Sequence, residues 1–536
     1  MENSLQTVRQ RLLKKSFIVP AVFGLLLSSA VVVSLWANQV MGKLELLALW
    51  VGLAFVATLG LSLLSKLEIK LVGGGSAFSQ TLKFSLSCFL VLETLMLIIL
   101  LSNYPGFCSV DSNDIINQAL GISHYQNHFR YEGLTNHHPV FYTFLFWLVW
   151  VFTGSSSDPA FAVFVFLIMQ SLFLSTGIAW ALGWFNKHCN SRGLVLFVTA
   201  CSILSPVLLV HALVMWKDVP FAVVLLILVL KLYDYAKKNS LEKKDILGLF
   251  CLCLAMSLLR NNGIYISIVL LIYMIIVFKE ARKKILGAFV SLIIVIGIIQ
   301  GPLFGALSVS SGHFAESVSV PLQQIAAVAA DDAGVINEEQ ESFLDNIRPI
   351  REMAEVYNPG SANPVKFSPS FSDTYLESHK IEFIKTWAEI VVANPSIAFR
   401  AWVQLTCGYW LPGFFADIGA QETIYHEQPV SIIGFSLNPH DYFSALNSVF
   451  PGLFSMGNTI WVVIASLGVL ILCNRAKGIF KRATCFVPIL VLELTLLVAA
   501  PIASDFRYVL GIYLVIPFLL VLGNLFGLDE TAQNEK

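Results

Sequence analysis

A chain of 536 residues that is 56% hydrophobic and only 13% charged is not built as a soluble globular protein, because soluble domains carry about 25% charged residues. The net charge of −1 says nothing of partners, and without a basic groove-lining stripe or a zinc-ligand spacing there is no support for nucleic-acid binding. Apolar runs near the roughly 20 residues that cross a bilayer recur along the whole length. The fold class they predict is an all-α polytopic membrane protein, with the lipid bilayer as its first partner.

The first element starts with Arg9, Arg11, Lys14 and Lys15 and continues as an apolar run from Phe17 to about Trp36. It resembles a signal sequence but has no convincing small-residue cleavage site, so it reads as an uncleaved span. Twelve transmembrane helices are expected, near 17–37, 44–64, 84–103, 160–184, 194–214, 219–236, 246–262, 264–278, 285–304, 458–473, 485–502 and 508–525. Gly73-Gly74-Gly75-Ser76 lacks the lysine of a phosphate loop and reads as a linker. The apolar segment 140–152 is too short to cross easily. If it does not cross, the basic loops at Lys187/Arg192, Lys237–Lys244, Lys279–Lys284 and Arg475–Arg482 share one side with the N-terminal cluster, as positive charge on cytoplasmic loops requires. It is therefore expected to be an exofacial juxtamembrane helix, with both termini cytoplasmic.

Three parts follow from this pattern. They are an N-terminal transmembrane module over 1–304 with an exofacial loop at 104–159, an exofacial region over 305–457, and C-terminal helices with a short tail over 458–536. Within the second part, Pro395 to Leu411 is Trp-rich and suits an interfacial helix. The nine cysteines lie mostly in apolar runs and read as packing residues. Cys108 and Cys407 alone fall on the expected outer face, where a disulfide between them is an alternative.

The polar island from Tyr104 to Pro139 holds Asp111, Asp114, four histidines and an arginine beside an apolar run. Ionisable groups at a bilayer need a use. Asp111 and Asp114 share a helix face if the segment is helical. They read either as solvated helix-capping carboxylates or as a general base or metal ligand. His137-His138-Pro139 precedes the short helix, whose N-terminus could hold an anion or simply anchor the interface. Lys217 and Asp218 read either as a mutual ion pair or as a phosphate-binding lysine beside an aspartate that orients a substrate or a metal. Arg260-Asn261 and Arg507-Tyr508, at the outer ends of later spans, suit a lipid phosphate or structural snorkelling.

Taken in order, YPG…Asp111…His138-Pro139…Trp216-Lys217-Asp218…Leu259-Arg260-Asn261-Asn262-Gly263…Arg507-Tyr508 resembles the GT-C superfamily of integral-membrane glycosyltransferases, which includes protein mannosyltransferases and aminoarabinose transferases. The pattern is nearest to an uncharacterised bacterial branch of that group. The resemblance implies a polyprenyl-phosphate sugar donor, an extracytoplasmic glycan, lipid or protein acceptor, and inversion by single displacement at the outer face of a bacterial plasma membrane. It implies Asp111 as base, with Asp114 as the alternative, Asp218 as the second acidic position, and Arg260 and Arg507 on the donor phosphate. His137, His138, Lys217, Asn261 and Tyr508 complete the expected substrate-binding set. Val140 replaces the second proline of the family's His-Pro-Pro element and an acidic doublet is missing. A divalent cation is therefore left open, with no metal ligand assigned.

Overall fold

The structure, a computed structural model, describes residues 2–66, 78–122, 124–126, 129–131, 133–154, 159–189, 191–238, 240–413, 429–473, 478–519 and 522. The glycine-rich stretch at 73–76 and His128 lie outside the described residues. In the N-terminal half, helices run in the order α1 (Glu2–Ala37), α2 (Lys43–Lys66), α3 (Phe78–Ser102), α4 (Val110–Leu120), α5 (Val140–Phe152), α6 (Ala160–His188), α7 (Arg192–Ile203), α8 (Pro206–Ala212), α9 (Asp218–Lys237), α10 (Lys243–Leu259), α11 (Gly263–Val277) and α12 (Arg282–Ile298). Between α4 and α5, His124–Gln126 pairs antiparallel with Phe129–Tyr131, the one ladder among the described residues.

Seven described helices are long and apolar enough to cross a membrane. An eighth is formed if α7 and α8, bent by 40° at a short break, act as one. The break has a local cause. Ser205 caps α8, accepting from the Leu208 N–H at 3.4 Å, and Pro206 occupies the first helical turn, where its missing N–H costs nothing. Other apolar helices are shorter, among them Val140–Phe152, Gly263–Val277, Met456–Leu472 and Phe506–Leu519. The chain is thus an all-helical membrane protein in its architecture, with its spans unequal in length.

α9 is the most enclosed of the seven and α2 the least, while α1 and the span containing α12 are also largely open, with apolar side chains facing outward. Close approach of α9 and α3 to α6 depends on small residues, as is common where helices pack in lipid. A β-carbon at Gly177 of α6 would lie 2.3 Å from Val223 of α9, and one at Gly183 would lie 1.8 Å from Ser85 of α3. Glu93 of α3 is buried in this packing, accepting from Ser171 at 3.0 Å and from Ser175.

The segment from about 313 to 393 has a second core of its own, including Leu322, Ile325, Phe343, Met353, Leu376, Phe383 and Ile390. Two buried cations hold it. Lys366 reaches Glu316 at 2.8 Å, and Arg348 donates to the Pro364 and Val365 carbonyls at 2.7 Å each. The Trp-rich stretch is the helix Pro395–Trp410. Cys108 and Cys407 are both free and buried, so the disulfide alternative is corrected.

Candidate functional site

The site is assembled where α4 begins, α9 begins and α10 ends. α4 is capped by serine: Ser109 and Ser112 form a reciprocal capping box, which corrects the reading of the two aspartates as caps. The same serines fix α4 to the turn before α9. Trp216 Nε1 donates to Ser109 Oγ at 2.6 Å, and Ser112 Oγ donates to the Met215 carbonyl at 2.8 Å. Phe107 N–H also donates to the Leu213 carbonyl at 2.8 Å. Asp111 is thereby aimed at Lys217.

Asp111 Oδ2 accepts from Lys217 Nζ at 3.2 Å and from Arg507 Nη1 at 2.6 Å. Arg507 is itself held by Asp505 through Nε at 2.7 Å, and its guanidinium lies 5.3 Å from the Trp216 ring centroid and 5.1 Å from that of Tyr508. Its position is also braced from the neighbouring helix. The loop before it packs on Gly408, where a β-carbon would lie 1.7 Å from the Ala503 carbonyl. Tyr409 donates to the Ile502 carbonyl at 2.5 Å.

His138 bridges the two aspartates. Lys217 Nζ lies 3.1 Å from His138 Nδ1. The ammonium can only donate, so Nδ1 accepts and Nε2 carries the proton. Nε2 faces Asp114 Oδ2 at 3.5 Å. His138 is set by its chain neighbours: Thr135 N–H donates to Gln118 of α4 at 3.1 Å, and Asn261 Nδ2 donates to the Asn136 and His137 carbonyls at 3.1 and 3.2 Å. Asn136 Oδ1 takes the Val140 N–H at 3.5 Å, so Pro139 stands at the cap of α5 rather than inside its first turn.

The electrostatics separate the two aspartates. Burial pushes the Asp111 carboxyl up, but the Arg507 guanidinium and then the Lys217 ammonium outweigh it and hold it well below the usual carboxylate range. Burial, reinforced by the charge of Asp111, pushes Asp114 up to about 8. Burial and then Lys217 hold His138 well below the usual imidazole range, so it is neutral. Burial also lowers His137, against the opposing charge of Glu316.

Lys217 and Asp218 do not pair with each other, which corrects one of their two readings. They diverge, and Asp218 meets Arg260 Nη1 at 2.8 Å. The Asp218 side chain is only 2% exposed, and Arg260 lies between the rings of Phe221 and Tyr508, 5.3 Å from each centroid. Of the expected set, Asp111, Asp114, His138, Lys217 and Arg507 come together. Asp218 and Arg260 form an enclosed pair beside them that shares Tyr508. Asn261 supports the backbone, and the His137 ring lies edge-on to His138, with its centroid 4.6 Å away, within the field of Glu316.

Asp505 was not among the expected site residues, and neither were Ser109, Trp216 or Glu316. Asp505 was the findable one, lying two residues before Arg507 in the same polar break. Glu93 and Glu493, each buried inside an apolar helix, are likewise outside the expected set. Among the described residues no group of three His, Cys, Asp or Glu side chains is placed to hold a metal ion. Around Asp111 the cationic neighbours oppose a dication.

Residues 98–429 match the model of a family described as a family of unknown function, DUF6020. The chain belongs to that family. No curated protein and no solved structure matches it. The DUF6020 match encloses Asp111, His138, Lys217 and Arg260 but ends before Asp505 and Arg507, so this chain completes its site with residues beyond the matched segment.

Proposed function

We propose that this DUF6020 protein is a membrane glycosyltransferase that moves a sugar from a polyprenyl-phosphate donor to an extracytoplasmic acceptor. The observation that carries the reading is the meeting of Asp111, Lys217 and Arg507 from three distant parts of the chain. A partly exposed carboxylate there lies against two cations suited to a phosphate. The resemblance to GT-C enzymes supplies the donor class. Twelve crossings, with the shorter helices counted, both termini in the cytoplasm and the site on the outer face of a bacterial plasma membrane agree with the basic loops.

In this mechanism a donor phosphate takes Arg507 and Lys217, and Asp111 loses the charges that suppress its basicity. Asp111 then removes the proton from an acceptor hydroxyl. The acceptor oxygen attacks the anomeric carbon, the bond from that carbon to the phosphate oxygen breaks, and the sugar is inverted. The leaving polyprenyl phosphate gains negative charge against guanidinium and ammonium groups already in place. Neutral His138 keeps Lys217 oriented, and Asp114 keeps the His138 ring oriented.

A transporter for a lipid-linked glycan is the second reading. What favours it is Glu493, a carboxyl buried within the helix Val487–Ala499 with no hydrogen-bond partner among the described residues, since such groups mark transport paths. The test is sugar transfer by the full chain reconstituted in liposomes with a polyprenyl-phosphate sugar donor. Asp111→Asn should abolish transfer while Glu493→Gln leaves it. Undiminished transfer in Asp111→Asn sinks the catalytic assignment, whereas glycan translocation without any transfer chemistry replaces the enzyme with a transporter.

A further inference from the structure

A second built feature lies away from this site, between α10 and α12. The two helices run in the same direction, with α11 as the return between them in the chain, and they line an open groove of about 460 Å³. One wall is Ile246, Leu247 and Phe250, and the other is Gly287, Ala288 and Ser291. These residues recur at three- and four-residue spacing, so each set forms one stripe along its helix. The α12 wall is made of small residues, and a β-carbon at Gly287 would meet no atom within 4 Å.

Lys243 and Lys284 stand at the same end of the groove. Lys284 Nζ donates to the Leu241 carbonyl at 2.7 Å, which holds its ammonium at the mouth. Two neighbouring lysines are paired, Lys238 with Asp245 at 2.7 Å and Lys244 with Glu242 at 3.0 Å. Among the described residues, no carboxylate pairs with Lys243 or Lys284. The groove is therefore apolar along its length and positively charged at one end.

We propose that this groove is a binding site for one anionic phospholipid, its phosphate on Lys243 and Lys284 and an acyl chain along Phe250, Gly287 and Ser291. Charge complementarity selects the occupant, because a zwitterionic headgroup brings its own cation to the two lysines and gains little from them. Basic pockets between membrane helices take anionic headgroups for the same reason. The inference does not depend on the catalytic reading.

The test is thermal unfolding of the purified full chain in neutral detergent, titrated with phosphatidylglycerol, phosphatidylcholine or inorganic phosphate. Phosphatidylglycerol should raise the Tm saturably, and the other two should not. The variant carrying both Lys243→Gln and Lys284→Gln should need roughly thirtyfold more phosphatidylglycerol for half the shift. Gly287→Leu, which fills the groove at a helical position with room for it, should lose the shift while keeping its lipid-free Tm. Lys244→Gln should behave as the wild type. An equal phosphatidylglycerol shift in all variants would assign the effect to diffuse surface charge and overturn the site. A full shift with inorganic phosphate, or an equal one with phosphatidylcholine, would overturn the phospholipid as its occupant.

Discussion

Two carboxylate–cation groups begin at adjacent residues and are built for opposite ends. Lys217 points to Asp111, which is 18% exposed and meets two cations, one of them, Lys217, shared with the neutral His138 imidazole. Asp218, one residue on, points to Arg260 in a pair that is closed off between aromatic rings. The two cations beside partly exposed Asp111 can turn to a substrate's phosphate while the carboxylate keeps contact with water. A buried single pair cannot, because opening it leaves a charge without water or partner. The difference separates a group that can react from one that holds α9 to α10.

The largest expected effect breaks the first group. Asp111→Asn should lower transfer by about 10²–10⁴-fold, the usual contribution of a general base, with the Tm little changed since Arg507 retains Asp505. A drop in transfer matched by an equal loss of folded protein would merge the two groups into one structural unit. Next, Asp218→Asn should destabilise the fold by about 3–5 kcal/mol by stranding Arg260, read as a lower Tm without any lipid-linked donor present. Asp218→Asn combined with Arg260→Gln should recover part of that loss, which a catalytic role for Asp218 would not produce.

A smaller effect separates the aspartates by pH. Asp114 keeps its proton in the folded chain up to about 8, whereas an unfolded aspartate releases it near 3.9. The folded state thus binds the extra proton between these values, so its stabilising effect is lost as pH rises from about 4 to about 8. Asp114→Asn should remove that part of the slope, measured as the difference in Tm between variant and wild type across pH. An unchanged slope would mean that Asp114 is ionised in the fold. The smallest effect belongs to Asn261→Ala. It removes two hydrogen bonds at an exposed position and should cost about 1 kcal/mol, with the Michaelis constant rising more than the turnover falls.

The membrane class was legible because apolar runs survive averaging over a window. Span lengths were less so, since Pro206 breaks one run and several others fold into helices shorter than a bilayer. Glu93 and Glu493 were invisible for the same averaging reason: one carboxyl in a long apolar run hardly changes its mean. The site's members could be listed from polar breaks between spans, but their pairing could not. Whether Lys217 turns to Asp218 or to Asp111 depends on how α4 is latched through Ser109 and Ser112, contacts about a hundred residues apart in the chain. Asp505 was not legible because an arginine at the outer end of a span suits a lipid phosphate as well as a carboxylate.

The bond between Arg507 and Asp111 closes a loop of 396 residues, and that spacing has a consequence for synthesis. At about 5–20 residues per second, a ribosome takes roughly 20–80 s to go from one to the other. During that time Lys217 is the only cation of the final pair that can meet Asp111. A nascent chain halted just short of Arg507 has most of its length in the membrane but lacks the second cation of Asp111, so the cluster closes only late in synthesis.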